Sequence, residues 1–290
     1  MSPETGLTSP SRPNAFLSLV TPVHNGAVYI ADNLRHILAT LERLGRPFEV
    51  IVVCDGSSDC SADLARGLRD DRVVVLDYPE NQGKGHAIAH GLEAAQGRLV
   101  GWLDSDADIH PQVIVDAARR FDETTVDAVV GSKRHPASRV HYPLVRRIYS
   151  WGFQNLVRLL FRINVRDTQV GAKVFRREMI DTVRPLLLIK RYAFDLEVLA
   201  VGAEFGFDRI EEAPIELQYR FSGSGIDWHA VRNMFQDTLA IAYRIHLRHW
   251  YVRRFASLER HRMDEMAAPE VQAQPPEVQT EARPLTSDRA

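Results

Sequence analysis

Three carboxylates stand at alternate positions in Leu103-Asp104-Ser105-Asp106-Ala107-Asp108, directly after the apolar run Leu99-Val100-Gly101-Trp102. Like charges this close repel, and the cluster costs stability unless a cation neutralises it. Hard oxygen donors suit Mg²⁺ or Mn²⁺, which bind through one or two carboxylates and keep positions for phosphate oxygens. Asp104, Asp106 and Asp108 are therefore the expected metal ligands; a solvated acidic turn ahead of Pro111 is the alternative. A second cluster, Asn81-Gln82-Gly83-Lys84-Gly85, opens a helical pattern. Glycines, a lysine and a helix N-terminus make an anion site. The GxxxxGK[ST] spacing of a P-loop is absent, and no GxGxxG follows the first strand pattern. Two polar turns, Thr21-Pro22-Val23-His24-Asn25 and Asp55-Gly56-Ser57-Ser58-Asp59, complete the set. Each admits a ligand close to the backbone, or serves turn formation alone.

These clusters need a scaffold that gathers them, and the hydrophobic pattern supplies one. Strand patterns at Phe16–Thr21, Phe48–Cys54, Arg72–Leu76, Leu99–Leu103 and from Ala128 alternate with helical patterns at Ala27–Leu44, Ser61–Leu68, Gly85–Ala95 and Pro111–Phe121. This rhythm predicts a doubly wound sheet, parallel in this half, with ligands at the C-terminal strand ends. The polar clusters fall at those ends. Beyond lie a helical stretch over Val140–Ile163, mixed signals over Val174–Leu188, a strand over Ile210–Tyr219 and a long amphipathic helix over Asp227–Tyr251. Residues 1–15 read as a disordered leader and 261–290 as a disordered tail. Between them, 16–131 and 132–260 would be the two halves of one domain, 16–260.

The chain has 290 residues, 45% hydrophobic and 26% charged, with a formal net charge of −2. That is the balance of a globular protein with a sizeable core, and it offers nothing to a nucleic-acid partner. Cys54 and Cys60 lack metal-site spacing and fit a reducing compartment. No secretory h-region and no run of about 18 apolar residues is visible, so a cytoplasmic protein, peripheral to the membrane, is expected. Local charge carries that expectation. Ala128–Arg166 holds no acid but has Lys133, Arg134, Arg139, Arg146, Arg147, Arg158, Arg162 and Arg166. On a helix, Arg147, Trp151, Arg158 and Arg162 share one face, opposite Val145, Tyr149, Phe153, Leu156, Leu160 and Ile163. Such a helix suits an anionic membrane surface; a core-packed helix with a solvated basic face is the alternative.

The four clusters, in this order, resemble family 2 glycosyltransferases: the P-x-Y-N turn, the D-D-G-S turn, the N-x-G-K-G loop and the DxD motif. Arg166-Asp167-Thr168-Gln169-Val170-Gly171-Ala172-Lys173-Val174-Phe175-Arg176-Arg177 and Lys190-Arg191-Tyr192-Ala193-Phe194-Asp195-Leu196-Glu197 are similar to the dolichyl-phosphate glucosyltransferase and dolichyl-phosphate mannose synthase branch. The resemblance covers 17–250, with His24 in place of the family's tyrosine and Cys54 in place of the first aspartate of D-D-G-S. It implies an α/β GT-A fold: a Rossmann-like, doubly wound mixed sheet with helices on both faces and C-terminal amphipathic helices. It further implies that Asp55 binds the donor base and that Pro22, Val23, His24, Asn25, Gly83, Lys84 and Ser105 line the nucleotide-sugar site. Asp104 and Asp106 would hold ribose and metal, with Asp108 as a further ligand. Asp167, beside Gln169, would be a base or an acceptor positioner. Lys133, Arg134, Arg146 and Arg147 would bind acceptor phosphate, and Arg220, before Ser222-Gly223-Ser224, the donor diphosphate.

The implied reaction is inverting transfer of a hexose, glucose first, from UDP-glucose or GDP-mannose to a polyprenyl or dolichyl phosphate. A phosphate monoester has a second pKa near 6 and is a nucleophile at neutral pH. It needs cations more than a base. A family 2 enzyme acting on a soluble or polysaccharide hydroxyl would instead require a true base, for which Asp195 is the candidate. A non-catalytic nucleotide-sugar-binding protein is the third reading.

Overall fold

The computed structural model describes residues 15–140, 144–161, 163–191, 193–217 and 228–267. The leader up to residue 14, Arg162, the Arg220 segment with its Ser/Gly stretch, and the tail from 268 lie outside the described residues.

Seven strands form one sheet in the order β3-β2-β1-β4-β6-β5-β7. They are β1 (Leu17–Val23), β2 (Phe48–Asp55), β3 (Val73–Tyr78), β4 (Leu99–Leu103), β5 (Ala128–Ser132), β6 (Ala172–Arg176) and β7 (Ile210–Pro214). The first four pair in parallel, as the alternating rhythm predicts. The parallel run ends at β6, which lies antiparallel to both β4 and β5, while β5 and β7 are parallel. A strand that returns from α5 (Leu144–Phe161) rather than from a short crossover can enter the sheet in this direction, so the sheet is mixed. β2, with the sequence FEVIVVCD, is buried along its whole length, as a central strand covered on both faces must be.

Helices cover both faces. α1 (Ile30–Leu41) and α4 (Gln112–Glu123) share a core with Leu17, Leu19, Val50, Val52, Leu99 and Leu103. The alternate residues of these strands face α3 (Lys84–Ala94), whose Gly91 lies against Val20 and Val53. On that same face Trp102 stacks on Phe175 with ring centroids 4.7 Å apart and meets Phe194 of α7 (Phe194–Glu204). α2 (Ser61–Arg66) and α6 (Arg177–Val183) complete these layers.

Three expectations for the second half change. The helix expected over Val140–Ile163 is α5, ending at Phe161. Its buried line runs through Gln154, Val157 and Phe161, not through Phe153, Leu156 and Leu160. Gln154 goes inside because its amide reaches Thr168 Oγ1 at 3.4 Å, and Leu159, beside Arg158, is left exposed. The single helix expected over Asp227–Tyr251 is broken into α8 (Trp228–Ala242), a π-turn over Tyr243–Leu247 and a new helix, α9 (Trp250–Ala267). The break falls at His249, whose φ of 46° no helix accommodates. Residues up to Tyr251 form one compact unit and those from Val252 a second. In the second unit, 261–267, expected in the tail, continue α9; good helix formers and an Arg262–Glu259 ion pair at 3.1 Å support them.

Candidate functional site

The C-terminal ends of β1, β2 and β4 open into a pocket of about 400 Å³. Pro22, Val23, His24, Asp55, Gly83, Lys84, Asp104, Ser105 and Asp106 line it, joined by Tyr29, Asn81 and Arg191. Every described residue expected to contact a nucleotide-sugar is in this wall except Asn25; Arg220 lies outside the described residues. Asn25 instead braces the first turn against the second. It has φ 51°, its amide donates to Ser57 Oγ at 3.1 Å, and its Oδ1 accepts from Ser58 N at 2.8 Å.

Asp55 organises the loop between β3 and α3. Its carboxylate accepts from the amides of Gln82 at 2.7 Å and Gly83 at 2.9 Å. Gly83 has φ 100°, a conformation open to glycine alone at little cost. The Asp55 carbonyl accepts from His24 Nδ1 at 2.8 Å, which fixes a proton on that nitrogen and leaves Nε2 to accept from Asn25 Nδ2 at 3.3 Å. Asp55 is only 3% exposed, so its part in ligand binding is to hold this wall.

The acidic cluster is strained electrostatically. Burial, then the neighbouring Asp104 charge, pushes the Asp106 carboxyl up to about 6. Lys84 Nζ stands 2.5 Å from Asp104 Oδ1. Burial works against the charge on Lys84, but Asp104, Asp195 and Asp106 outweigh it and hold the amine above the ordinary lysine range. Asp104 is also backed by Gly171: the Asp104 amide donates to the Gly171 carbonyl at 3.1 Å, and a Cβ on Gly171 would lie 2.0 Å from Asp104 Oδ2.

Asp108 departs from the expected metal set. Ala107, with φ 57°, turns the chain between Asp106 and Asp108, and the Asp108 amide donates to Asp106 Oδ1 at 3.1 Å. In an extended run alternate side chains would share a face; after this turn Asp108 is not in the pocket wall. Among the described residues no three His, Cys, Asp or Glu side chains converge into a metal cage. Asp104 and Asp106 remain: two hard oxygen donors, mutually repelling, with one carboxyl already shifted toward protonation. Two carboxylates with room for phosphate oxygens fit Mg²⁺ or Mn²⁺.

The residues expected at the acceptor are elsewhere. Asp167, 4% exposed, accepts from the amides of Lys133 at 3.2 Å and Gln169 at 3.1 Å. Its carboxylate ties the end of β5 to the turn before β6, and it is not in the pocket wall. Asp167, expected as a base or an acceptor positioner, braces this loop in the structure. Gln169 is half-buried, and its Nε2 has no hydrogen-bond partner among the described residues. Lys133 and Arg134 follow β5, two strands from β4, and are likewise outside the wall. Arg146 and Arg147 lie in α5, their side chains outside the description. Asp195, the candidate base for a hydroxyl acceptor, is 5% exposed and engaged by Lys173 and Trp102.

Asp167→Asn brings an amide NH₂ against one of the two backbone N–H donors. One hydrogen bond to the loop is lost, at a cost of about 1–3 kcal/mol. The expected result is lower turnover with an unchanged shape of kcat/KM against pH. A titration present in the wild type and missing in the variant would restore the base role.

Three residues of the wall escape the reading from sequence. Tyr29 stands at the start of α1, where its hydroxyl bonds Ser105. Asn81 donates to the Asp55 carbonyl at 3.3 Å. Arg191 arrives from the turn before α7. Only Asn81 lies inside a cluster that the spacing marks.

Known proteins agree with this geometry. The sequence profile of Glycosyl transferase family 2 matches residues 18–184. Glycosyltransferase AglD of Haloferax volcanii is 31% identical over 204 residues, 69% of this chain but 32% of its own, so this chain spans about a third of that relative. The dolichyl-phosphate beta-glucosyltransferase of Dictyostelium discoideum is 25% identical over 83% of this chain and 78% of its own, and that of Drosophila melanogaster 33% identical over 64% and 62%. Among solved structures, glucosyl-3-phosphoglycerate synthase from Mycobacterium tuberculosis, in complex with Mn²⁺, UDP and phosphoglyceric acid, superposes with a TM-score of 0.61 at 18% identity, covering 79% of this chain and 78% of its own. Mannosyl-3-phosphoglycerate synthase from Rubrobacter xylanophilus gives 0.60 at 19% identity, covering 81% and 75%. These likenesses show the GT-A fold, and the chain belongs to glycosyl transferase family 2.

Proposed function

We propose that this protein transfers a hexose, glucose from UDP-glucose in the first instance, to a polyprenyl or dolichyl phosphate. The observation that carries this reading is the pocket wall, where the Asp104/Asp106 pair suits a cation and Lys84 and Arg191 add positive charge, an arrangement suited to phosphates more than to activating a hydroxyl through a base. Asp55 is spent on two amides, Asp167 on two others, and Asp195 on a buried lysine. Asp104 and Asp106 form the acidic pair suited to a cation. A hydroxyl acceptor would need such a base; a phosphate dianion does not. The names of the dolichyl-phosphate beta-glucosyltransferase relatives support the same acceptor and sugar.

Asp104 and Asp106 would hold Mg²⁺ or Mn²⁺. An ion held there would supply positive charge to the donor diphosphate, which departs as the nucleoside diphosphate when the sugar is transferred. Lys84 and Arg191 place further positive charge on the same wall. His24 and Tyr29 add aromatic rings to the same wall. A single displacement by the phosphate oxygen inverts the anomeric carbon. The test is a donor screen with a short polyprenyl phosphate and Mg²⁺ or Mn²⁺, read by mass spectrometry. Transfer only to hydroxyl acceptors would overturn the reading. GDP-mannose is the second donor.

An anionic membrane surface is the partner that a lipid acceptor requires, and α8 supports it better than α5. No described helix is long and apolar enough to cross a membrane. α8 and the π-turn expose Phe235, Leu239, Tyr243 and Leu247 at helical spacing, with Arg232 and Arg248 exposed beside them. The expected outcome is salt-sensitive co-sedimentation with vesicles of mixed neutral and anionic phospholipid. Leu239→Glu with Tyr243→Glu should weaken it roughly tenfold or more, and Arg158→Glu less. Sedimentation indifferent to salt and to the α8 pair would remove this face from the account.

A further inference from the structure

Lys173 and Asp195 form a buried ion pair that the reaction does not use. Lys173 is fully buried and Asp195 5% exposed. Lys173 Nζ donates to Asp195 Oδ1 and to the Val170 carbonyl, the latter at 2.5 Å. Trp102 Nε1 donates to the same Asp195 oxygen at 3.0 Å. Burial lowers the Lys173 pKa, and Asp195 opposes that shift. Desolvating two charges is expensive, so a pair of this kind points to a role in arrangement and not in raw stability.

Its neighbours show what is arranged. Trp102 and Lys173 face each other across the β4–β6 ladder. Two residues along β4 is Asp104; two residues back along the β6 segment is Gly171, the glycine that backs Asp104. Asp195 belongs to the first turn of α7, whose leading turn closes with the Phe194 amide on the Arg191 carbonyl at 3.3 Å. That turn also bears on the anion loop: the His86 amide donates to the Lys190 carbonyl at 3.1 Å, and Gly85 lies against Phe194. One carboxylate thus joins the strand that presents Asp104, the segment behind it and the turn that presents Arg191.

We infer that Asp195, with Lys173, is a positioning residue for donor binding: it locks the Arg191 turn to the Asp104 strand so that the pocket's cations and carboxylates face one nucleoside diphosphate. This rests on the donor reading of the pocket and is independent of the acceptor.

The test is calorimetric binding of UDP in the presence of Mn²⁺, with thermal melting to confirm folding. If wild-type protein binds no UDP, the donor reading fails and the variants need not be made. Given wild-type binding, Asp195→Asn leaves Lys173 unpaired and is expected to weaken UDP roughly ten- to a hundredfold. Adding Lys173→Met to Asp195→Asn removes the stranded charge, while the oxygen of the new amide still accepts from Trp102. The melting temperature should return toward that of wild type while UDP stays roughly tenfold or more weaker, because the charged pair that locks the turn is gone. Folded Asp195→Asn that binds UDP as wild type does, with only its melting temperature lowered, would overturn the positioning role. So would a double variant that recovers both its melting temperature and wild-type UDP affinity. Wild-type UDP affinity combined with turnover abolished in both variants would return Asp195 to the role of base.

Discussion

Asp106→Asn is expected to cut sugar transfer roughly a thousandfold while making the metal-free protein more stable. The two effects have one origin. Burial and the Asp104 charge raise the Asp106 carboxyl to about 6. A carboxyl raised in the folded state favours folding when protonated, and that contribution fades as pH climbs through about 6. Above this the ionised Asp106 opposes folding by up to about 3 kcal/mol, the equivalent of its roughly two-unit shift. Asparagine removes the penalty, so the variant should melt above wild type at pH 7–8 and converge with it near pH 4. Mn²⁺ should raise the wild-type melting temperature and leave that of the variant nearly unchanged. For the same reason the wild-type response to Mn²⁺ should weaken below pH 6, where protons compete for the carboxylate. A variant that melts below wild type in EDTA at pH 8, or one that keeps metal-dependent turnover, would break the link between this cluster and a cation.

Gly171→Ala is expected to cost about 1–3 kcal/mol of stability and roughly a hundredfold in kcat/KM. The added Cβ would fall 2.0 Å from Asp104 Oδ2 and 2.4 Å from its Cγ. Nothing flexible can yield except Asp104 itself, which is held by Lys84 on its other side. Displacing the carboxylate should therefore lower Mn²⁺-dependent UDP affinity together with turnover. The measurement is metal-dependent UDP binding alongside the melting temperature. Unchanged binding in a destabilised but folded variant would mean that Asp104 tolerates the shift and is not held to one position.

The strand-end clusters were legible in the sequence because their chemistry is local. Asp104, Asp106, Gly83 and the turns at His24 and Asp55 each lie within a few residues of the strand that delivers them. The bracing bonds of Asp167 were not legible because its partners, the amides of Lys133 and Gln169, converge on it only through tertiary structure. A carboxylate in a motif looks alike whether it faces a substrate or closes a loop. Arg191 enters the wall from far along the chain, and no periodicity marks it. Lys173, in the strand Ala-Lys-Val-Phe-Arg, reads as an outward lysine of an alternating strand; only the sheet order shows that both faces there are covered. The resemblance implied a mixed sheet, but the residues alone did not place the antiparallel strand β6, because the β-α rhythm stops after β5, where the pattern predicts helix without saying where the next strand returns.

That strand order also bears on how the chain is made. The ribosome delivers β5 before β6, yet β5 has no partner in the sheet until β6 lies between it and β4. Until residue 176 has emerged, the growing chain can assemble only the four parallel strands, with the flank of β4 unpaired and open to wrong partners. The same late strand segment brings Gly171 up behind Asp104. Maturation of the acidic cluster is therefore deferred to the step that seals the nascent sheet, and a chain stalled before that step carries the aspartates without the frame that aims them.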